Sequence, residues 1–258
     1  MRLGGRRDGP RPFLYSLDMN RLCLASAVLV VLLPLSAAAP APKMAFEKHT
    51  LSNGLQLILH VDRKLPVVHV NLWFHVGSKN ERIGRSGFAH LFEHMMFEGS
   101  KNASQRYFGY AEKAGARNAN ATTDWDFTNY LITVPSANLE HVLWLESDRV
   151  ATLAGAVTKE RFDNQRDVVR NELRQEENQP YSRWLKLICE NLYPHRHPYA
   201  NDIAGSHEDL VAATLDDVKD FFRTFYTPNN LSLVISGDID PPDAKRLVEK
   251  YFGNIPAG

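Results

Sequence analysis

Two histidines four residues apart, His90 and His94, lie in an otherwise apolar stretch and restrict how this chain can fold. Residues four apart share one face of an α-helix, so a helix beginning near Phe88 would direct both imidazoles toward one point. Met95 and Met96 follow at once and indicate a buried helix, in which two unpaired histidines would be unfavourable. The spacing therefore predicts a metal site, with a helix carrying two unrelated histidines as the alternative.

A glutamate, Glu93, stands beside the second histidine and completes the pattern H-x-x-E-H. Neutral imidazole suits zinc, and a catalytic zinc site has three protein ligands and keeps one position for water. Glu93 follows His90 by three residues, close enough to that helix face to take a proton from the water instead of binding the metal. The motif predicts a Zn²⁺ ion held by His90 and His94, with Glu93 as general base.

The third ligand has to come from a distant part of the chain. A long helix is predicted over residues 159–177, and its apolar residues at helical spacing are Phe162, Val169 and Leu173. Glu172 lies near this stripe, where a carboxylate needs a positively charged partner. The sequence leaves two kinds of partner open, a zinc ion or an arginine such as Arg166 or Arg170. Glu176 lies past the apolar run and is expected to be solvated.

Strand and helix patterns alternate along the rest of the chain. Asn53-Gly54 separates runs 46–51 and 55–61 and predicts a hairpin, because this dipeptide readily adopts positive φ angles. Further strands are predicted at 67–76, 117–124, 126–134 and 231–236, and further helices at 104–113, 139–154, 181–192, after Thr214 and at 241–251. Several strands pair through short turns, so the predicted class is α+β, a largely antiparallel sheet flanked by helices.

Residues 1–39 have the pattern of a secretory signal peptide. Arg21 leads an apolar run over residues 22–35, and small residues follow as far as Ala39. The run is short for a membrane span of about 20 residues, and an uncleaved anchor is the alternative. Met19 directly precedes the basic lead and is a second candidate for the true start. We expect an exported protein, periplasmic or secreted, with no membrane association after cleavage.

Charge and cysteine content exclude several classes of protein. The 30 basic and 30 acidic residues balance, so no basic excess points to nucleic acid. Cys23 would leave with the signal peptide, and Cys189 would then have no partner for a disulfide and is expected to be a buried, inert thiol. Packing, surface or loop positions are expected for four other histidines, His69, His75, His195 and His197.

The stretch 87–100 resembles the signature of the pitrilysin/insulinase family of zinc peptidases, which includes the mitochondrial processing peptidases. Other segments similar to that family are 120–123, 126–130, 166–172, 197–199, 226–230 and 237–238. The resemblance covers about residues 46–258. It implies a metallopeptidase domain with the mitochondrial processing peptidase fold, and it assigns the third zinc ligand to Glu172.

The resemblance also implies a zinc-dependent endopeptidase, which hydrolyses extended peptides through a zinc-activated water with Glu93 as general base. Asn120, Ala121 and Thr122 match the strand that holds peptide substrate at a sheet edge. Many members have a glutamate seven residues before the third ligand, where this chain has Gln165. An amide there can hydrogen-bond near the metal site, but it cannot accept a proton or carry charge.

Family members enclose their substrates between two halves. Residues 40–258 are therefore expected to be an N-terminal catalytic zinc-peptidase domain, with the later domains absent. A second homologous half would come from the same longer chain or from a separate subunit. Two other functions remain open, a non-catalytic partner subunit and a zinc hydrolase of another substrate class. A damaged zinc helix is typical of the non-catalytic members, whereas the four site residues are all present here.

Overall fold

The computed structural model describes residues 44–194 and 196–258 of the chain. The predicted signal peptide, with Met19 and Cys23, lies outside these residues, and so does His195. Within the described ranges, no helix combines the length and the apolar character that crossing a bilayer requires.

One six-stranded sheet organises the described residues, with strand order β1-β2-β6-β3-β5-β4. The strands are β1 Glu47–Thr50, β2 Gln56–Val61, β3 Val67–Phe74, β4 Asn118–Thr123, β5 Thr128–Pro135 and β6 Leu231–Gly237. Strands β2 and β6 run parallel, and the other neighbouring pairs are antiparallel. This arrangement confirms the predicted α+β class with a largely antiparallel sheet.

The central strands carry the core through their alternating side chains. In β3, Val68, Val70, Leu72 and Phe74 are fully buried, and the residues between them are partly exposed. This period of two is the pattern of a strand with one face against helices. Strand β6 is the last strand in sequence, yet it pairs with both β2 and β3 in the middle of the sheet. The sheet therefore joins residues from both ends of the described chain.

Eight helices surround the sheet among the described residues. They are α1 Phe88–Met95, α2 Tyr107–Lys113, α3 Leu139–Ala156, α4 Lys159–Glu177, α5 Trp184–Leu192, α6 His207–Ala212, α7 Leu215–Phe225 and α8 Pro241–Phe252. The strand bounds differ from the predicted ones by at most two residues, and α4 has the predicted bounds. The capping start predicted for α7 is confirmed, because the Thr214 side chain accepts a hydrogen bond from the N–H of Asp217.

Two helices begin later than predicted. Helix α2 starts at Tyr107 and not at residue 104, because Arg106 has φ −58° and ψ 141° and ends an irregular segment. Helix α5 starts at Trp184 and not at residue 181, because Tyr181 has a φ of 64°. A left-handed residue of this kind is incompatible with a right-handed helical turn. In both cases the local backbone of the preceding loop, and not the apolar pattern, determines where the helix begins.

Helix α6 was not predicted. Its six residues follow Ser206, whose hydroxyl accepts a hydrogen bond from the N–H of Asp209. The carboxylate of Asp209 in turn accepts hydrogen bonds from the N–H and the hydroxyl of Ser86, at 2.9 and 2.6 Å. A helix this short has little intrinsic stability, so these tertiary contacts account for it. Through them α6 holds the segment that precedes α1.

Candidate metal centre

Helix α1 begins at a turn whose backbone N–H groups donate hydrogen bonds to the side chains of Glu81 and Asp209. Glu81 accepts hydrogen bonds from the N–H groups of Gly87 and Ala89, at 3.0 and 2.8 Å, and Asp209 binds the adjacent Ser86. Acidic groups at a helix N-terminus satisfy free N–H groups and complement the helix dipole. Gly87 has a φ of 83°, a conformation that glycine adopts freely. These contacts fix the position from which the motif side chains project.

The buried face of α1 leaves the three polar side chains of the motif on the other face. Buried residues of this helix are Phe88, Ala89, Leu91, Phe92 and Met95. The opposite face presents His90 and His94, whose Nε2 atoms lie 3.3 Å apart. Their rings are 4.8 Å apart between centroids and nearly perpendicular, at 83°. The four-residue spacing therefore brings two imidazole nitrogens to one point.

Glu172 of α4 completes this set of donor atoms. Its Oε2 atom lies 3.2 Å from Nε2 of His94 and 3.7 Å from Nε2 of His90. The three side chains each offer one donor, all within 4.8 Å of one another. The Glu172 side chain is 45% exposed, so the site opens to solvent on this side. The sequence placed these residues in separate helices, and the fold brings them together.

The arginines considered as partners for Glu172 are engaged elsewhere. Arg166 pairs with Asp163 at 3.1 Å, and Arg170 pairs with Asp167 at 3.3 Å. Both are contacts between residues three apart along α4. The described ion pairs of Glu172 are those with the two histidines, which favours the metal-ligand interpretation over an arginine pair.

The donor set fits a tetrahedral zinc ion. Zinc bonds to histidine nitrogen and carboxylate oxygen measure about 2.0–2.2 Å, so the donors of a tetrahedral site lie about 3.3–3.6 Å apart. The three measured separations of 3.2, 3.3 and 3.7 Å bracket this range. Burial and the neighbouring His94 lower the pKa of His90 to about 4. His90 is therefore neutral at physiological pH, which is the form that binds a metal.

Glu93 lies beside the donor set, in contact with strand β4. Its Oε2 atom accepts a hydrogen bond of 2.5 Å from the hydroxyl of Thr123. Burial raises the pKa of Glu93, and the Thr123 hydrogen bond opposes this shift. The sequence did not indicate Thr123, whose contact with Glu93 depends on how α1 crosses β4. A carboxylate held in this way is oriented and more basic than one in water.

A cavity of about 460 Å³ contains the donor set, Glu93, Asn120 and Gln165. Of the three β4 residues assigned to substrate binding, Asn120 lines this cavity, whereas Ala121 is buried and Thr122 is exposed on the strand. Strand β4 is at the edge of the sheet and pairs with β5. Within residues 44–194 and 196–258 no strand pairs with its outer edge, which leaves that edge open to an added strand.

Gln165 makes a contact that the sequence did not indicate. Its Nε2 atom donates a hydrogen bond of 2.6 Å to Oε1 of Glu98, and both residues are 7% exposed. Arg106 and Arg161 also lie near this carboxylate, with closest atoms 3.3 and 3.9 Å away. The position of Glu98 just beyond a buried helix was the available signal, because a carboxylate there requires polar partners.

Helix α3 carries charged residues that contact the segment following α1. Glu146 and Arg149 form a buried ion pair, 1% and 2% exposed, and the Tyr107 hydroxyl donates to Glu146 at 2.7 Å. Asp148 accepts hydrogen bonds from Ser100 and from the backbone and side chain of Asn102. These contacts fix the segment that follows α1. The occurrence of charged residues within the apolar pattern of α3 was the feature of the sequence that could have indicated these buried contacts.

Among the described residues, the donor set includes neither the other histidines nor Cys189. His69 bonds to Thr133 and His75 to Ser232, at 2.9 and 3.0 Å. Nδ1 of His197 accepts a hydrogen bond from the N–H of Tyr199. Cys189 is buried, as expected, and has no disulfide partner among the described residues.

An H-x-x-E-H helix facing a glutamate from a second helix is the arrangement of inverted-motif zinc hydrolases. The profile of the insulinase family, peptidase family M16, matches residues 57–206, and the chain belongs to this family. A second profile, the peptidase M16 inactive domain, matches residues 212–258. The family resemblance seen in the sequence is thereby confirmed. Strand β6 falls in the second match but lies within the same sheet as strands of the first.

Named relatives and solved structures agree with this assignment. The zinc protease PqqE of Helicobacter pylori is 32% identical over 240 residues, which are 92% of this chain and 53% of the relative. The probable zinc protease PqqL of Escherichia coli is 29% identical over 256 residues, which are 93% of this chain and 26% of the relative. The chain thus spans about half of the first relative and a quarter of the second.

Two structures illustrate the shared fold. A protease from Helicobacter pylori superposes with a TM-score of 0.79 at 30% identity, covering 83% of this chain and 51% of that one. The first half of the periplasmic protease PqqL from Escherichia coli gives 0.74 at 26% identity, covering 83% and 47%.

Proposed function

We propose that this chain is the zinc-binding, catalytic portion of an endopeptidase that hydrolyses peptide bonds in extended peptides. The observation that carries the proposal is the convergence of His90, His94 and Glu172 beside Glu93 in one cavity of about 460 Å³. The donor spacing fits zinc, and named relatives are zinc proteases. Glu176, four residues after Glu172, lines a different cavity and has no part in the site.

The roles of the residues follow from their positions. His90, His94 and Glu172 would hold the ion through one donor atom each. When bound, zinc supplies a Lewis acid that polarises a peptide carbonyl and lowers the pKa of a water to about 7. The Glu93 carboxylate accepts the proton of the attacking water and returns it to the leaving amine. The Thr123 hydroxyl keeps that carboxylate oriented through its 2.5 Å hydrogen bond.

The open edge of β4 is the proposed binding surface for the peptide backbone. Main-chain hydrogen bonds to an added strand give affinity with little dependence on sequence. Asn120 lines the cavity and would contact a side chain or carbonyl of the substrate near the cleaved bond. Ala121 is buried and would contribute through its backbone, and Thr122, two residues after Asn120, lies on the same face of the strand as Asn120.

Two further proposals concern the whole protein. We infer export to the periplasm or the exterior, supported by the signal-like residues 1–39 and by the relative described as a periplasmic protease. A second homologous half is also inferred, because the chain spans 53% of the Helicobacter relative and 26% of the Escherichia coli relative. Cell fractionation with N-terminal sequencing tests the proposed export. Measuring peptide cleavage with and without the second half tests whether that half is required.

The central experiment combines metal analysis with a peptidase assay. We expect one zinc per chain by elemental mass spectrometry and cleavage of an internally quenched peptide. The change His94→Gln should abolish both, whereas His75→Gln, at an exposed histidine bonded to Ser232, should preserve both. Absence of zinc would indicate a non-catalytic partner subunit. Zinc without peptide cleavage, even with a second half supplied, would indicate a hydrolase of another substrate class.

A further inference from the structure

A second, larger cavity adjoins the candidate metal centre. It measures about 990 Å³ and lies between the segment 98–106, the end of α3 and the first turns of α4. Glu98 and Arg106 line both this groove and the metal-site cavity. The two cavities are therefore contiguous, and a peptide that leaves the metal site past Glu98 enters the groove.

Arg106 is held at the boundary between the two cavities but remains accessible. Its side chain is 65% exposed, and its Nε atom lies 3.3 Å from Oε1 of Glu98, whose side chain is 6% exposed. Among the described residues, no acceptor satisfies hydrogen-bond geometry for its guanidinium. The buried carboxylate of Glu98 thus holds the Nε side of the Arg106 guanidinium group. The terminal nitrogens, which pair with carboxylates in a two-point geometry, are left for a ligand.

The other charged residues of the groove differ from Arg106. Arg161 donates to the carbonyl oxygens of Gly99 and Ser104 at 3.0 and 2.8 Å, so its guanidinium is used to hold the segment between them. Lys101 is exposed and has no ion pair among the described residues. The acidic lining residues are the buried Glu98 and the exposed Glu160. The terminal nitrogens of Arg106 and the ammonium group of Lys101 are therefore the cationic groups without a partner among the described residues, and they favour an anionic group.

The distance from the metal site determines which part of a substrate reaches Arg106. Glu172 and Gln165 are seven residues apart on α4, which corresponds to about 10 Å along the helix axis. Gln165 contacts Glu98, the anchor of Arg106, so Arg106 lies at about the same level. An extended peptide advances about 3.3 Å per residue. A side chain about three residues from the cleaved bond therefore reaches the guanidinium.

We propose that Arg106 is a specificity-determining residue that binds an acidic substrate side chain about three residues from the cleaved bond. This inference rests on the proposed peptidase function and adds the substrate preference of its site. The substrate carboxylate would pair with the terminal nitrogens of Arg106, with Lys101 adding positive charge to the lining of the groove. Arg106 touches the substrate at a distance from the reacting atoms and takes no part in the chemistry.

The test measures binding separately from cleavage. Zinc-loaded Glu93→Gln protein is titrated with fluorescent extended nonapeptides that differ only in carrying Glu or Gln at one position, which is moved along the peptide. We expect one position at which Glu binds about three- to tenfold more tightly than Gln, as for a charge-assisted contact. The ratio should fall to about one when Arg106→Gln is added. It should persist in part with Arg106→Lys and fully with Arg246→Gln, an exposed arginine paired with Asp243.

Cleavage-site profiling of a peptide library with the unaltered protein provides the second measurement. Acidic residues should be enriched about three positions from the cleaved bond, and Arg106→Gln should remove this enrichment. Absence of an acid-over-amide preference in the parent protein, or an unchanged preference in Arg106→Gln, would overturn the inference. If the parent cleaves no peptide even with a second half supplied, the proposed function fails, whereas the binding ratio still decides the role of Arg106.

Discussion

The side-chain amide of Gln165 donates a 2.6 Å hydrogen bond to the carboxylate of Glu98, and both residues are 7% exposed. The pair joins the middle of α4 to the segment that follows α1. A glutamate at position 165, which the family resemblance leads one to expect, would place two buried carboxyl groups in contact. Repulsion between like charges at that separation raises the pKa of one of the two groups. Glu98 thus provides a physical reason for the amide in this chain.

The change Gln165→Glu is therefore expected to destabilise the protein. One of the two carboxyl groups would have to stay protonated or remain unpaired, at a cost of about 1–3 kcal/mol near neutral pH. The loss should shrink at acidic pH, where a proton shared between the carboxyl groups is readily available. Urea unfolding monitored at several pH values measures this change.

The exchange Glu98→Gln with Gln165→Glu keeps one amide and one carboxylate in the pair. We expect the double variant to be more stable than the sum of the two single changes predicts, by about 1 kcal/mol or more. If the losses of stability from the two single changes simply add in this double-mutant cycle, the two side chains are not coupled. The amide at position 165 would then need another explanation.

Much of the fold could be predicted because the signals are local. Strand alternation gave the sheet to within two residues at each boundary, and Asn53-Gly54 located the hairpin of β1 and β2. The place of β6 between β2 and β3 could not be predicted, because pairing between residues so distant in sequence leaves no local pattern. Helix α6 was missed for a related reason, since tertiary contacts of Asp209 stabilise it.

The same distinction applies to the candidate site. Helical spacing alone put His90 and His94 on one face, because four residues make about one turn. The sequence left Glu172 open between a metal and an arginine, and the pairing of Arg166 and Arg170 within their own helix favours the metal. Tertiary packing of separate elements produces both the contact between Glu93 and Thr123 and the burial of Glu98. The sequence pattern of a single element cannot predict such contacts.

The change Glu93→Gln should separate metal binding from catalysis. The three donor residues are untouched, so zinc content should stay near one per chain, while peptide hydrolysis should fall by about two to four powers of ten. Elemental analysis and a quenched-peptide assay on the same preparation measure both quantities. Near-normal turnover by zinc-loaded Glu93→Gln protein would contradict the role of general base.

A weaker change at the same group is Thr123→Val, which removes the hydroxyl that orients Glu93. We expect zinc binding to be unchanged and turnover to decrease by about tenfold, less than for Glu93→Gln, because the base remains present but is no longer oriented. Equal losses from the two changes would mean that Thr123 does more than orient the carboxylate.

Two glutamates of α4 offer a matched comparison for zinc affinity. Glu172→Gln removes a charged donor 3.2 Å from His94 Nε2 and should weaken zinc binding by about a hundredfold or more. Glu176→Gln alters a carboxylate outside the donor set and should change the affinity less than about twofold. Competition with a chromophoric chelator measures both constants. The reverse order would show that the wrong helix face has been assigned to the metal.

The buried ion pair of α3 should matter for stability far more than an exposed pair of the same spacing. Arg149→Met leaves Glu146 buried without its partner and should cost about 3–5 kcal/mol of unfolding free energy. Arg223→Met removes the exposed partner of Asp220, also three residues away, and should cost less than about 1 kcal/mol. Urea denaturation distinguishes these values. Similar costs for the two changes would mean that Arg149 does not compensate Glu146.

The last prediction concerns the proposed second half. Helix α5 presents an exposed apolar face at helical spacing, formed by Trp184, Leu187, Ile188 and Leu192. Neighbouring exposed apolar side chains are typical of interaction surfaces. The matched region is 53% of the Helicobacter relative and 26% of the Escherichia coli relative, and we expect the proposed second half to form the other side of the substrate site. Correct positioning of a substrate lowers the reaction barrier by several kcal/mol, so its loss reduces turnover even with zinc in place.

We therefore expect residues 40–258 alone to bind zinc but to cleave peptides slowly, with turnover rising at least tenfold when a second half is supplied. Zinc content measured in parallel separates a positioning effect from a loss of metal. Leu187→Glu would show whether α5 contributes to the contact, since it should weaken activation while leaving zinc content unchanged. Full turnover by a verified monomer of residues 40–258, unaffected by any added half, would contradict the proposal that catalysis needs both.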